Sequence, residues 1–292
     1  MKDNIAVIGG DLRYIKLIEM FAKDGKKVYI LGLEKSEELK NNENIIFCNN
    51  LEDAVKEVKT VIGPIPFSKD GININAPFSA NDISINELIN NLETKTLIAG
   101  SIKKEVYSLI NNKHIHIIDI MQKEELAVLN AIATVEGTIE IAISNTTQNI
   151  HGSKILILGF GRIGKVLAQK FAALSAKITC AARKVEDVAW IETYGYEYTN
   201  INNIKEELGN YDIIINTVPQ MILNEQNLKY VKKDCLLIDL ASVPGGIDSK
   251  VAEAENLKLI WALGLPGKVA PVTSAKYVKN AIYNVLKELY IE

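Results

Sequence analysis

The residues of this chain best placed to do chemistry are three glycines at fixed spacing, in Ile155-Leu156-Ile157-Leu158-Gly159-Phe160-Gly161-Arg162-Ile163-Gly164. An apolar strand runs into Gly-x-Gly-x-x-Gly, and a helical pattern continues through Leu167, Phe171 and Leu174. That order cradles the pyrophosphate of a dinucleotide. Gly159 permits the tight turn, Gly161 leaves the backbone bare for the phosphates, and Gly164 lets the helix approach the strand. The helix N-terminus adds free N–H groups and a positive dipole end. Residues Gly159, Phe160, Gly161, Arg162, Ile163 and Gly164 are therefore expected around the phosphates. The next strand, Lys177 to Ala182, ends in Ala182-Arg183-Lys184, with no carboxylate before Glu186. NAD sites usually carry an acidic residue about 20 residues on, for the ribose 2′-OH. A guanidinium instead grips a 2′-phosphate. The expected cofactor is NADP, held by Arg183 and Lys184. The plain alternative for that pair is a solvated loop.

Short apolar strands alternate with helical stretches throughout, which predicts an α/β chain with doubly wound parallel sheets. The first half carries strands near Ile5–Ile8, Val28–Leu31, Ile45–Phe47, Thr60–Ile62, Leu97–Ala99 and His116–Ile118. The second carries them near Ile155–Leu158, Ile178–Ala182, Tyr196–Tyr198, Ile213–Asn216, Leu236–Leu240 and Leu259–Trp261. Two Rossmann-like domains joined by a long linker helix follow from this. Residues 1–122 form a substrate-side domain, and 123–270 hold the linker helix and the NADP-binding domain. A final helix, 271–292, packs back on the first domain. The linker reads as helical from Lys123 to Ser144, with an irregularity at Thr134-Val135-Glu136-Gly137.

The first copy has lost its phosphate chemistry. Aligned on the second, Gly9-Gly10-Asp11-Leu12-Arg13-Tyr14 puts Asp11 and Tyr14 where two glycines belong. Asp11 would repel a pyrophosphate and is suited to cap the following helix. Tyr14 is expected to block close helix–strand packing.

Strand ends meet at the ligand crevice of a doubly wound sheet. Thr217, Val218 and Pro219, with Ala241 and Ser242, are expected along the cofactor. Ser101, Lys103, Thr134, Glu136, Ser242 and Lys268 are the candidate catalytic and substrate-holding residues, with Arg13 as a further cation. Lys268 is read in a glycine loop. His114, His116 and His151 lie in or just before strands and read as core or loop histidines. No metal-ligand spacing and no Gly-x-Ser-x-Gly elbow occur. The three cysteines, Cys48, Cys180 and Cys235, are far apart and fit a reducing cytoplasm. A net charge of −3 gives no general field for nucleic acid or anionic membrane. No apolar run is expected to approach the ~20 residues that span a bilayer. The opening strand is too short for a signal peptide.

As a set, further motifs resemble the A-subunit of the dipicolinate synthases. They are Thr134-Val135-Glu136-Gly137-Thr138-Ile139, Ile150-His151-Gly152-Ser153, Phe171-Ala172-Ala173-Leu174, Asn216-Thr217-Val218-Pro219, Asp239-Leu240-Ala241-Ser242-x-Pro244-Gly245-Gly246 and Gly264-Leu265-Pro266-Gly267. The opening Ile5-Ala6-Val7-Ile8-Gly9-Gly10-Asp11-x-Arg13 belongs with them. The resemblance implies NADP-dependent oxidation of dihydrodipicolinate to dipicolinate, in the mother-cell cytoplasm of a sporulating bacterium. It also implies a partner, the dipicolinate synthase B-subunit, and a small dicarboxylate substrate. Self-association into a homo-oligomer is expected, and neither nucleic acid nor membrane is an expected partner. It carries over no catalytic residue. Two other readings stay open: a non-catalytic NADP-binding assembly or regulatory protein, and a 2-hydroxyacid or alanine-type dehydrogenase.

Overall fold

A computed structural model describes residues 4–110 and 114–291. It holds two compact units, one built from residues up to 129 together with those from 270 onward, the other from residues 130–269.

The first unit contains strands β1 (Ile5–Ile8), β2 (Val28–Leu31), β3 (Ile45–Phe47), β4 (Thr60–Ile62), β5 (Thr96–Ala99) and β6 (His116–Asp119). Its sheet runs β3-β2-β1-β4-β5-β6, with every pair parallel. Helices α1 (Leu12–Lys23), α2 (Leu51–Lys56), α3 (Ile85–Asn90) and α4 (Lys104–Ser108) connect the strands. Helix α5 (Glu124–Asn145) then carries the chain from one unit into the other. The second unit contains β7 (Lys154–Leu158), β8 (Lys177–Ala182), β9 (Glu197–Asn200), β10 (Ile213–Asn216), β11 (Leu236–Asp239) and β12 (Lys258–Trp261). Their order, β12-β11-β10-β7-β8-β9, repeats the first topology. Helices α6 (Arg162–Ala173), α7 (Val185–Thr193), α8 (Glu225–Leu228), α9 (Ser249–Ala254) and α10 (Leu265–Val269) belong to it, and α11 (Pro271–Ile291) returns to the first unit.

The central strands are apolar because parallel sheets bury both faces. All four residues of β1 are buried, as are Ile213, Ile214 and Ile215 of β10. Strand β9 begins one residue later and ends two residues later than the Tyr196–Tyr198 expected. It is an edge strand with the polar sequence Glu-Tyr-Thr-Asn, and only Thr199 turns inward. Helix α11 packs on α1. Asp24, at the end of α1, accepts hydrogen bonds from Lys279 Nζ at 2.8 Å and Tyr283 Oη at 2.6 Å, and the Phe21 and Tyr283 rings lie 5.7 Å apart.

Two sequence expectations are corrected in α5. The helix runs unbroken through Thr134–Gly137. A Cβ on Gly137 would lie 3.1 Å from Val269 Cγ1 and 3.3 Å from Leu265 Cβ. The glycine is a seat for α10 and not a break, at a cost of about 1 kcal/mol in helix propensity. The helix is also long and apolar enough to cross a membrane by length and composition, contrary to the expectation of no such run. Half of the qualifying stretch is buried inside the protein. Ala131, Val135, Thr138 and Ala142 are among the residues it buries, so packing explains its apolar character.

Candidate active site

The three glycines of the second unit each do a separate geometric task. Gly159 follows β7 with φ +95°, and a Cβ there would lie 2.6 Å from Thr217 Oγ1. A Cβ on Gly164 would lie 2.2 Å from the carbonyl oxygen of Gly159, so only glycine lets α6 come this close. A Cβ on Gly161 would meet nothing within 4 Å. Gly161 is the N-cap of α6 and brings no side-chain cap. The cradle is thus closed behind and open in front, which fits a pyrophosphate approaching the helix N-terminus.

The same turn in the first unit is filled by the chain itself. The Gly10 N–H donates to the Asn75 carbonyl at 3.0 Å, and a Cβ on Gly9 would lie 3.1 Å from Ala76 Cβ. Asp11 caps α1 by accepting from the Arg13 N–H at 3.0 Å. Tyr14 does not block packing as expected. Its ring is fully buried under the turn, within 2.3 Å of where a Gly10 Cβ would be, so glycine at position 10 makes its room. Burial pushes the Tyr14 phenol well above its ordinary value. Arg13 is not a free cation for substrate. It is 4% exposed, holds Asp11 at 2.8 Å and donates to the Ile65 carbonyl.

Among the helices that leave the crevice end of the second sheet, α6 and α7 differ from α8 and α9. Asn224 and Asp248 cap α8 and α9 with their side chains, whereas Gly161 and Lys184 give α6 and α7 no such cap. Arg162, Arg183 and Lys184 are exposed beside these two helix starts, and Ile163 is half-buried. The Phe160 ring is 2% exposed and belongs to the core of the second unit.

The loops after β10 and β11 are organised by a buried pair absent from the sequence-based candidates. Asp239 accepts from Asn216 Nδ2 at 2.8 Å and from the N–H groups of Ala241, Gly246 and Ile247 at 3.0, 2.7 and 3.1 Å. Asn216 in turn clamps Val218, donating to its carbonyl and accepting from its N–H. The signal is present in the sequence: each is a polar residue ending an otherwise apolar strand. Thr217 uses its hydroxyl to hold the Leu158 carbonyl at 2.8 Å. Ala241 is buried and its carbonyl accepts from Trp261 Nε1 at 2.8 Å. Pro219 and Ser242 are exposed at the loop tips.

The remaining candidates are divided between the units. Ser101 and Lys103 lie in the first unit. Both are exposed, the Ser101 N–H donates to Asp119, and Lys103 Nζ donates to the Lys69 carbonyl. Thr134, Glu136, Ser242 and Lys268 lie in the second. Lys268 is exposed on α10, a short helix and not the loop expected. Pro266 stands in its first turn, where the missing N–H would have had no partner. Packing at Gly137 brings α10 onto the stretch of α5 that holds Thr134 and Glu136. The Thr134 hydroxyl donates to the Asn130 carbonyl of its own helix at 2.9 Å, and Glu136 is exposed.

The three histidines are exposed and stand at or before the N-terminal ends of β6 and β7, opposite to the crevice. Burial pushes the thiols of Cys180 and Cys235 up to about 12, so neither is a reactive nucleophile. Among the described residues, no group of three His, Cys, Asp or Glu side chains could hold a metal ion.

Comparison with known proteins places the whole chain. It is 31% identical to the dipicolinate synthase A-subunit of Bacillus subtilis, over 99% of this chain and 97% of that one. This chain belongs to the dipicolinate synthase A-subunit family. The family's N-terminal domain matches residues 4–121, and the shikimate / quinate 5-dehydrogenase family matches residues 140–261. The crystal structure of the dipicolinate synthase A-subunit from Bacillus subtilis superimposes with a TM-score of 0.88 at 30% identity, covering 100% of this chain and 98% of that one. The A-subunit structure from Bacillus halodurans gives 0.88 at 28%, covering 98% of each. The second unit is therefore a dehydrogenase-type Rossmann domain, a kind that takes a nicotinamide nucleotide, and the family name implies a partner B-subunit.

Proposed function

We propose that this protein oxidises dihydrodipicolinate to dipicolinate with NADP, in the mother-cell cytoplasm of a sporulating bacterium, as a homo-oligomer working with a B-subunit. The observation that carries the reading is the open cradle at Gly161 together with Arg183 and Lys184, and no carboxylate, at the end of β8. The Arg162 and Ile163 N–H groups at the start of α6 would hold the pyrophosphate, and Arg183 with Lys184 the 2′-phosphate. Thr217 to Pro219 and Ala241 to Ser242 would run along the rest of the nucleotide, in the geometry that Asn216 and Asp239 fix. When bound, the nucleotide supplies the hydride acceptor. The reaction balances as dihydrodipicolinate plus NADP⁺ giving dipicolinate, NADPH and one proton. Aromatisation of the ring makes it strongly favourable, so the protein's work is alignment and carboxylate recognition.

The test is NADPH formation followed by absorbance, with dihydrodipicolinate generated in place, with and without the B-subunit. Turnover with NADP exceeding that with NAD supports the reading. Nucleotide binding without turnover, even with the B-subunit, replaces it with a non-catalytic assembly role. Turnover of 2-hydroxyacids or alanine replaces it with a dehydrogenase of the other kind.

A further inference from the structure

A cation stands out of place beside the glycine cradle of the second unit. Lys165 is the fourth residue of α6, whose first turn has no acidic residue and whose N-cap brings no side chain. With Arg162 it puts two positive charges at the start of this helix. A helix N-terminus is the positive end of its dipole, so both charges are unfavourable there until an anion joins them. Helical side chains lean toward the N-terminus, which carries the Lys165 ammonium back toward the glycine turn.

Rings hold this ammonium, and no carboxylate does. Lys165 Nζ lies 5.8 Å from the centre of the Phe160 ring and 5.9 Å from that of Trp190. Trp190 in turn stacks on Tyr194 at 5.4 Å, and Tyr194 tilts against Phe160 at 6.3 Å, so the three rings form one wall. Among the described residues no carboxylate pairs with Lys165, whereas Lys232 and Lys279 hold theirs at 2.5 and 2.8 Å. A ring face attracts a cation without neutralising it. Lys165 is half-buried, so the wall fixes its place and leaves its charge available. That place is informative. Phe160 immediately precedes the N-cap of α6, and Trp190 is on α7, whose own N-cap is Lys184. The ammonium therefore stands between α6 and α7, on the side where β8 delivers Arg183 and Lys184.

We infer that Lys165 binds the 2′-phosphate of NADP together with Arg183, and that the Phe160 and Trp190 rings position it for that contact. The inference rests on the proposed use of NADP. A 2′-phosphate brings about two negative charges at neutral pH, more than one guanidinium neutralises. A second cation from α6 completes the balance and removes the conflict with the helix dipole. NAD has a hydroxyl at that place and gives the ammonium nothing to neutralise. Lys165 therefore sets the preference between the two nucleotides and adds nothing to what they share. The aromatic wall serves the same end. A lysine side chain loses rotamer freedom when it binds, and rings that hold it beforehand reduce that loss.

The experiment is calorimetric titration of the full chain with NADPH and with NADH. Lys165→Met should weaken NADPH about tenfold and leave NADH within about twofold of the unmutated protein. The loss should shrink as ionic strength rises, because it is a loss between charges. Lys165→Arg should keep most of the NADPH affinity, since it restores the charge, and a lysine needed only for packing would not be rescued in this way. Trp190→Leu should weaken NADPH by about two- to fivefold and again spare NADH. The unaltered NADH affinity reports that each variant folds. A Lys165→Met protein that binds NADPH as the unmutated protein does, that loses both nucleotides equally, or that arginine fails to rescue overturns the inference. A Trp190→Leu protein with unaltered NADPH affinity overturns the part given to the rings. If the unmutated protein binds NADH as tightly as NADPH, or binds neither, the proposed cofactor fails and the inference with it. If Arg183→Asp removes the preference for NADPH and Lys165→Met does not, the cofactor stands and the inference fails alone.

Discussion

Replacing Asp239 with asparagine changes one atom type and almost no volume, yet the surroundings leave the new group no acceptable orientation. Each carboxylate oxygen serves two donors. Oδ1 accepts from Asn216 Nδ2 at 2.8 Å and Ala241 N at 3.0 Å, and Oδ2 from Gly246 N at 2.7 Å and Ile247 N at 3.1 Å. Whichever oxygen becomes NH₂, two buried donors lose their acceptor and face another donor. Asn216 cannot relieve this by turning its own amide over, because both ends of it are bonded to Val218. An unmet buried donor costs roughly 1–3 kcal/mol, so Asp239→Asn should lose about 2–6 kcal/mol. At roughly 2–4 °C for each kcal/mol in a protein of this size, the melting temperature should fall by about 4 °C or more. Thermal and urea unfolding measure the loss, and NADPH titration should show weaker binding, since the pair positions both loops beside the nucleotide. A variant that loses less than about 1 kcal/mol and binds NADPH normally would refute the idea that Asp239 organises this side of the site.

Arg183→Asp should weaken NADPH by about 2 kcal/mol or more and spare NADH, as charge-assisted bonds to a phosphate are lost; titration with both nucleotides decides, and equal losses count against the assignment. Gly161→Asp should abolish nucleotide binding while leaving the fold intact, because its side chain enters open space but places a negative charge in the cradle; circular dichroism and NADPH titration check the two halves of that statement. Asp212 provides a test of linkage. Against the cost of its partial burial, hydrogen bonds from Lys232 at 2.5 Å and the Lys154 N–H at 2.7 Å hold its carboxyl below the usual range. A depressed carboxyl stabilises the fold above its unfolded value of about 3.9 and loses that stabilisation as pH falls through its folded value. Asp212→Asn should therefore be less stable than the unmutated protein at neutral pH, with the gap closing below about pH 4 in a urea-midpoint series.

The fold was legible because parallel sheets with two covered faces write their strands as apolar runs, and most strands of the described residues are such runs. The bounds of strand β9 were missed because an edge strand buries one side chain and needs no run. Position 137 misled for a related reason. A glycine in a helical stretch reads as a weak point, but here it answers to α10, a neighbour that no local pattern reveals. Lys268 reads as a loop residue because Gly264-Leu265-Pro266-Gly267 is turn-like, and a proline in the first turn of a helix leaves the same trace. At the site, the glycines were legible because each has a task only glycine can do. Arg13 was not, since charge in a sequence carries no sign of its partner, and Asp11 two residues earlier had already claimed it. Asn216 and Asp239 were hidden in plain view, as polar ends of strands that ordinarily mark the start of a loop.

The two units show how few atoms separate a nucleotide site from its imitation. They share strand order, and each has a glycine turn after its first strand. In the second unit the position at the helix cap, Gly161, has no side chain and nothing in front of it. In the first the equivalent residue is Asp11, whose carboxylate does for α1 what a phosphate would do for α6: it meets the free N–H groups and the positive end of the helix. An internal anion has taken the place of an external one, and Arg13 neutralises it. Once the cap is internal, the third glycine is no longer needed for close approach, and a tyrosine occupies its position under Gly10. The segment at Asn75 then closes the front of the turn, its carbonyl accepting from the Gly10 N–H at 3.0 Å. The phosphate site of the first unit is thus filled by the chain's own groups: a carboxylate at the cap, a tyrosine at the third glycine position and the Asn75 carbonyl in front.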